Sequence, residues 1–305
     1  MKVSNRLKWL GSFLFFSAFS AALIVYHFPV RVFTQSTQLD MWWHGARGHW
    51  THVDGYRIHY YVMGPDSGPP VVLIHGLGAR AEDWANLAPY FSRAGFRVYL
   101  PDLPGYGQSD MPANFSYSIA DQAQVVVGIL DALGLRQVDL GGWSMGGWIA
   151  QVVAIRHPER VSRLILFDSA GIYARPEWNT ALFTPTTPDQ IAQLDALLMP
   201  NPSAVPRFVA ADILRISKAH SWVIQRALAS MLTGRDTTDH LLPQLKMPVL
   251  IVWGAVDRIT PVDQALRIHA LLPQSQLNVF QGCGHLAPSQ CAPAIAPSIL
   301  QFLRQ

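Results

Sequence analysis

The stretch 138–147, V-D-L-G-G-W-S-M-G-G, constrains the fold of this chain more than any other feature. A short apolar run leads into Ser144, which has Gly142 two residues before it and Gly146 two residues after it, and a helix-forming run begins directly afterwards. A serine on such a tight strand-to-helix turn has a strained backbone, so its flanking residues must be small. The pattern G-x-S-x-G therefore predicts a nucleophilic serine raised above the end of a strand.

The turn also predicts half of an oxyanion hole. The N–H of Met145 lies at the N-terminus of the following helix, where the helix dipole is positive, so it can stabilise a negative charge that develops on a substrate oxygen. The second half is expected in the sequence H-G-L-G, which follows the aliphatic run 71–74. We assign the second donor to the backbone N–H of Leu77. His75 and Gly76 are expected to organise that loop.

Aliphatic runs that alternate with helix-forming segments predict an α/β protein with a mostly parallel sheet covered on both faces. The predicted core spans residues 50–172 and 246–305. Between them, residues 173–245 lack strand patterns and carry apolar side chains at loosely helical spacing, so they predict a helical cap, or lid, inserted after a sheet strand.

A nucleophilic serine needs a base and an acid, and open α/β sheets gather functional residues at the carboxyl ends of their strands. Ser144, Asp257 and His285 all follow predicted strands, in that order along the chain. We expect His285 to be the general base and Asp257 to orient it. Asp168 also follows a strand and is the alternative acid.

The N-terminus carries a long apolar run, residues 9–30, after Lys2, Arg6 and Lys8. This pattern predicts a signal anchor over residues 1–32, a transmembrane helix that holds an exported catalytic domain at the membrane. A secretory signal that is cleaved to release the protein is the alternative.

The composition excludes other classes. The formal charge of the 305 residues is only +3, and the sequence has no basic stripe interleaved with aromatic residues, so nucleic-acid binding is not expected.

Cys283 and Cys291 are close enough in sequence to pair in an oxidising compartment, although two free thiols are the favoured interpretation. No metal and no cofactor are expected, since triad chemistry needs none, and no oligomeric state is predicted.

The motifs H-G-L-G, P-D-L-P-G-Y-G-Q-S, G-W-S-M-G-G, V-W-G-A-V-D-R-I and G-C-G-H, in this order, resemble those of the α/β-hydrolase superfamily. The resemblance extends from residue 50 to the end of the chain. More narrowly, the D-S-A-G strand end, the cap and the apolar N-terminus are similar to those of bacterial cold-active lipases and esterases and of membrane-anchored monoacylglycerol lipases. The resemblance implies that Ser144, Asp257 and His285 are the catalytic residues.

These observations predict a serine carboxylic ester hydrolase that acts on small-molecule or lipid-like esters through an acyl-enzyme. The alternative is a carbon–carbon bond hydrolase of the ring-cleavage-product type, which uses the same triad. A binding module without catalytic activity is disfavoured, because nucleophile, acid, base and oxyanion loop are all present.

Overall fold

A computed structural model describes residues 20–305 and contains one sheet of eight strands in the order β1-β2-β4-β3-β5-β6-β7-β8. The strands are β1 (Arg47–Val53), β2 (Tyr56–Met63), β3 (Pro70–Ile74), β4 (Arg97–Pro101), β5 (Val138–Trp143), β6 (Val161–Phe167), β7 (Val249–Gly254) and β8 (Gln276–Phe280). Strands β3 to β8 are parallel, and β1 and β2 are antiparallel. The predicted mostly parallel sheet is confirmed.

Helices cover both faces of this sheet. They are α1 (Pro29–Trp43), α2 (Ala88–Arg93), α3 (Ile119–Ala132), α4 (Met145–Arg156), α5 (Pro188–Leu198), α6 (Arg207–Met231), α7 (Val262–Leu271), α8 (Ala287–Gln290) and α9 (Ala292–Leu303). Strands β5 and β7 are buried along their whole length, and the sequence of β7 is continuously apolar, as expected of a strand covered on both faces. The sheet therefore has one apolar core on each face.

The hairpin of β1 and β2 turns at Asp54 and Gly55, as its D-G sequence predicts. Both residues have positive φ, 51° for Asp54 and 83° for Gly55. Between β3 and β4, residues 81–94 do not form one continuous helix. A 3₁₀ turn over Ala81–Trp84 precedes the shorter helix α2, in which Pro89 occupies one of the first two positions, where its missing N–H costs no hydrogen bond.

The N-terminal prediction also requires correction. Most of the predicted segment 1–32 lies outside the described residues, and within residues 20–305 no helix combines the length and apolarity needed to cross a membrane. The predicted location, a catalytic domain exported and held by a spanning helix or released by cleavage, is therefore wrong. Residues 29–32 belong instead to α1, which packs against α6.

Two long-range side-chain hydrogen bonds tie α1 to the rest of the protein. The N–H of Val30 donates to Oδ2 of Asp212 in α6 at 3.1 Å, so a carboxylate stabilises the N-terminus of α1. Nε2 of Gln38 donates to Oε1 of Glu82 at 2.7 Å. Because Asp212 and Glu82 are buried, both bonds are protected from water.

Helices α5 and α6 are the long helices between β6 and β7. The side-chain hydroxyl of Thr187 caps the N-terminus of α5 by accepting from the N–H of Gln190 at 3.3 Å. Both helices contribute side chains to a cavity at the carboxyl ends of the strands. The predicted division into a core and a cap, with limits at residues 173 and 245, remains a proposal.

Candidate active site

Ser144 lies between the end of β5 and the start of α4, with φ 56° and ψ −119°. A residue with a side chain rarely adopts this conformation, and it is tolerated only where neighbours are small. A Cβ on Gly142 would meet the carbonyl oxygen of Gly146, and a Cβ on Gly146 would meet that of Ile74. The two glycines are therefore required by close backbone approach.

The three predicted catalytic side chains lie together at the strand ends. The hydroxyl of Ser144 is 2.9 Å from Nε2 of His285, and Nδ1 of His285 is 2.7 Å from Oδ2 of Asp257. All three residues are buried, with Ser144 the most exposed at 8%. This geometry lets the imidazole accept the serine proton while the carboxylate holds the opposite ring nitrogen.

Thr260 is a residue of this site that the sequence analysis did not select. Its hydroxyl donates to Oδ2 of Asp257 at 2.7 Å and lies 3.3 Å from Nδ1 of His285. The N–H groups of Ile259 and Thr260 donate to Oδ1 of Asp257 at 2.7 and 2.9 Å. The short D-R-I-T segment, in which an Asp precedes a turn ending in Thr, is the sequence signal for this arrangement.

Asp168, the alternative acid, lies beside this group at the end of β6 and is fully buried. Its Oδ1 accepts from the N–H of Gly254 at 2.7 Å. Among residues 20–305, the carboxylate that hydrogen-bonds to His285 is that of Asp257. Burial, and then the charge of Asp257, raise the pKa of the Asp168 carboxyl well above its usual range.

The predicted oxyanion loop follows β3. In the described part of the chain, neither the N–H of Leu77 nor that of Met145 donates to a protein acceptor. For Met145 this is expected, since the first N–H of a helix has no intrahelical acceptor. Gly76 approaches the serine so closely that a Cβ there would lie 3.2 Å from Cβ of Ser144.

His75 holds this loop from the inside. Its Nδ1–H donates to the carbonyl of Gly76 at 2.8 Å, and its Nε2 accepts from the N–H of Leu103 at 3.1 Å. Complete burial lowers the pKa of His75, which favours the neutral ring that these two bonds require. The side chain thus links the turn after β3 to the turn after β4.

The loop that carries His285 is held from three sides. Nε1 of Trp143 donates to the carbonyl of His285 at 2.7 Å, and the N–H of His285 donates to the carbonyl of Leu198 at 3.1 Å. Cys283 and Cys291 form a disulfide, so the favoured reading of two free thiols is wrong. The short helix α8 folds the chain back and brings their Cα atoms to 6.2 Å, within the range that a disulfide spans.

A cavity of about 870 Å³ opens onto Ser144 and His285. Its inner walls are apolar, with contributions from α5, α6 and Trp143. One outer wall was not predicted, because it comes from α1 through Val30, Thr34 and Gln38. These residues are spaced four apart and so lie on one face of the helix.

No group of three or more potential metal ligands occurs within residues 20–305. The strand-end site itself combines side chains with backbone N–H groups. They provide a hydroxyl nucleophile, an imidazole base, a carboxylate and two unpaired N–H donors beside an apolar cavity.

Comparison with known proteins places this geometry in a family. Residues 69–222 and 233–290 match the alpha/beta hydrolase fold family. By sequence, the chain is 32% identical over 270 residues to a 2-hydroxy-6-oxononadienedioate/2-hydroxy-6-oxononatrienedioate hydrolase of Burkholderia vietnamiensis, which covers 82% of this chain and 91% of that protein.

Two solved structures are similar over different lengths. A membrane phospholipase A, described as a bacterial virulence factor, superposes with a TM-score of 0.82 at 27% identity and covers 98% of both chains. A meta-cleavage product hydrolase of Pseudomonas fluorescens has a TM-score of 0.72 at 26% identity and covers 84% of this chain and 97% of its own. The chain therefore belongs to the α/β-hydrolase family, with relatives among both lipid and ring-cleavage-product hydrolases.

Proposed function

We propose that this protein is a serine hydrolase that cleaves carboxylic esters with lipid-like acyl chains through an acyl-enzyme. Ser144 is the nucleophile, His285 the general base and Asp257 the acid that orients the imidazole. The substrate lies in the apolar cavity with its carbonyl carbon at Oγ of Ser144. No cofactor enters this scheme, because both half-reactions are acyl transfers.

In the first half-reaction, Oγ of Ser144 attacks the carbonyl carbon while Nε2 of His285 takes the serine proton. The N–H groups of Leu77 and Met145 stabilise the oxyanion of the tetrahedral intermediate. The intermediate collapses to the acyl-enzyme, and the imidazolium of His285 protonates the leaving alcohol. A water molecule, deprotonated by His285, then attacks the acyl carbon and releases the carboxylic acid.

The cavity wall that α1 forms in this protein is the observation that carries this proposal. The match to the phospholipase leaves 2% of 305 residues unmatched, about six, which is fewer than the 15 residues of α1. Most of α1 therefore has a counterpart in the phospholipase. The match to the meta-cleavage product hydrolase covers 84% of this chain, so the other 16% has no counterpart in that structure. An apolar cavity that extends to this helix suits a long acyl chain.

The test is hydrolysis of p-nitrophenyl esters from acetate to palmitate, and of a monoacylglycerol, by the full-length chain. We expect turnover with a preference for medium or long acyl chains. The variant Ser144→Ala should lose activity by a factor of roughly 10⁴ or more. Because the change removes only one oxygen, the variant should keep the circular dichroism spectrum of the folded protein and a Tm close to that of the wild type.

A matched control is Ser36→Ala, which removes an exposed hydroxyl of α1 that does not line the cavity. It should keep wild-type turnover. Retained ester hydrolysis in Ser144→Ala, or no turnover of any ester by the wild type, contradicts the proposal.

A second candidate is carbon–carbon bond hydrolysis of a ring-cleavage product, and the sequence relatives favour it over ester hydrolysis. The relative from Burkholderia vietnamiensis is named for a dienedioate substrate, and it matches at 32% identity over 82% of this chain. The same serine and histidine would serve, with a stabilised carbanion in place of the alkoxide as leaving group.

Parallel assays distinguish the two reactions. A 2-hydroxy-6-oxo-dienoate is a coloured vinylogous diketone, so its cleavage is followed by loss of absorbance. Activity on this compound that exceeds activity on every ester, and that Ser144→Ala abolishes, would establish carbon–carbon hydrolysis. Activity on medium-chain esters alone would establish ester hydrolysis.

A further inference from the structure

Asp168 is a buried carboxyl group that the proposed mechanism does not use. It follows β6 with a positive φ of 42°, a backbone conformation that non-glycine residues seldom adopt. Its N–H donates to the carbonyl of Val252 at 3.0 Å, and its own carbonyl oxygen lies 3.0 Å from the hydroxyl oxygen of Thr260. The backbone of Asp168 is thus tied to the same residue, Thr260, that contacts Asp257.

The side chain of Asp168 is only half satisfied. Oδ1 accepts from the N–H of Gly254 at 2.7 Å, whereas Oδ2 is fully buried and has no donor among residues 20–305. A buried carboxylate oxygen without a donor is costly, but a protonated oxygen becomes a donor itself. The neighbouring carboxylate of Asp257 can accept such a proton, because Oγ1 of Thr260 lies 2.7 Å from Oδ2 of Asp257 and 3.0 Å from the carbonyl oxygen of Asp168.

The surroundings of the two carboxyl groups decide which one carries the proton. Asp257 accepts from two backbone N–H groups, from the hydroxyl of Thr260 and from Nδ1 of His285. Asp168 accepts from one backbone N–H. Two adjacent buried carboxyl groups cannot both ionise readily, so the proton remains on Asp168, whose pKa is raised by burial and by the charge of Asp257.

We propose that Asp168 is an undissociated carboxylic acid that donates a hydrogen bond from Oδ2 to the carboxylate of Asp257 and so positions the acid of the triad. This inference rests on the triad role of Asp257 in the proposed function. Asp168 is a positioning residue, since it acts on His285 only through Asp257. It adds a donor to Asp257 without adding a second negative charge beside the imidazole.

The first test is the pH dependence of kcat/KM in Asp168→Asn. The amide group can place an N–H donor where Oδ2–H lies and an oxygen where Oδ1 accepts from Gly254. Because a neutral group replaces a neutral group, we expect kcat/KM within about threefold of wild type and an unchanged midpoint of the acid limb. If Asp168 were ionised, the exchange would remove a negative charge beside the Asp257–His285 pair, and the midpoint would move to lower pH.

The second test removes the donor. Asp168→Ala leaves Asp257 without this hydrogen bond, and we expect kcat to fall by about tenfold or more with little change in KM. An Asp168→Ala variant with wild-type kcat would overturn the proposal. Asp139→Asn is the matched control, because it makes the same exchange at a buried position of β5 whose carboxyl pairs with Arg163 at 3.4 Å. It should not alter the pH profile.

The third test does not depend on any substrate, so it remains informative if the proposed function fails or if Asp168→Ala does not fold. Above about pH 4 the unfolded chain releases the proton of Asp168, whereas the folded protein retains it. The stability of the wild type therefore falls with rising pH relative to Asp168→Asn. The ionisable group facing Asp168 is Asp257, with His285 beyond it, and both are common to the two proteins.

We therefore expect the Tm of Asp168→Asn to exceed that of the wild type by a margin that widens from pH 5 to pH 8. A margin that stays constant or narrows would mean that Asp168 is ionised in the folded protein. Loss of ester turnover by the wild type, by contrast, would contradict the proposed function and leave this margin unaffected.

Discussion

The strand-end site and the outer wall of the cavity are built in opposite ways. Ser144, His285 and Asp257 are at most 8% exposed, and their side chains are joined by hydrogen bonds of 2.7 to 2.9 Å. The wall formed by α1 lies at the surface, where Phe33 is 72% and Trp43 is 79% exposed. Two long-range side-chain hydrogen bonds, to Asp212 and Glu82, tie it to the body of the protein.

This difference separates reactivity from selectivity. The reacting groups are positioned by several strands, and a change there should affect every substrate equally. The α1 wall is held by few contacts, so changes there should act on substrates that reach it.

Removing the negative charge of the acid should have the largest effect. In Asp257→Asn, the amide can no longer stabilise the imidazolium of His285, and we expect kcat to fall by roughly 10³ to 10⁴ for short and long esters alike. Steady-state kinetics with the acetate and the dodecanoate measures both. Asp263→Asn, on the exposed surface of α7, is the control. A loss confined to one chain length would contradict the division.

Narrowing the outer cavity should affect long substrates only. Thr34→Trp places a large ring on the face of α1 that lines the cavity, so kcat/KM for the dodecanoate should fall by about tenfold through steric exclusion. The value for the acetate should stay within about twofold. Ser36→Trp adds the same ring on the exposed side of the same helix and should change neither value. Equal losses for both esters would show that α1 does not select chain length.

Opening the disulfide should weaken the fold more than the chemistry. Cys283 and Cys291 are eight residues apart, and a loop of that size stabilises a protein by about 2 kcal/mol in the chain-entropy model. We expect Cys283→Ser/Cys291→Ser to lose about that much free energy of unfolding in urea titrations. Turnover should fall by threefold at most, since Trp143 and Leu198 still hold the loop of His285.

Addition of a reductant provides the control for this variant. It should lower the stability of the wild type and leave the double variant unchanged. A wild-type protein that is insensitive to reductant under unfolding conditions would contradict the disulfide.

The smallest effect should come from the histidine under the oxyanion loop. Burial lowers the pKa of His75 from its ordinary value of 6.5. Below that pH, His75 therefore binds a proton in the unfolded chain but stays neutral in the folded protein. The stability advantage of the wild type over His75→Gln should therefore shrink by up to about 1 kcal/mol per pH unit below pH 6.5. Thermal unfolding at pH 8, 6 and 5 measures this, and a constant difference would mean that His75 is charged in the folded state.

Much of the strand framework was predictable because its signals are local. The aliphatic runs of β3, β6 and β7 each end in a polar or glycine-rich turn, and a parallel sheet brings such turns to one edge. The glycines around Ser144 are likewise demanded by backbone atoms that lie close in sequence and in the adjacent strand.

The predictions that failed depend on partners distant in sequence. The start of α1 is stabilised by Asp212, which is 182 residues away from Val30. The apolar N-terminal run gives no indication of that contact. The sequence alone therefore did not show that the residues of α1, which follow this run, form a wall of the cavity. The disulfide is the exception, since Cys283 and Cys291 are only eight residues apart, but it depends on the turn of α8 that brings Cys291 back to Cys283.

The α/β class, the turn at Ser144 and the chain order of serine, aspartate and histidine could be predicted from local patterns, because backbone sterics and strand patterning act over a few residues. The carboxylate that meets His285, Asp257 rather than Asp168, and the helix that closes the cavity follow from the folded arrangement of the chain. Both depend on hydrogen bonds and burial between segments far apart in the chain. Periodicity carries no information on such contacts.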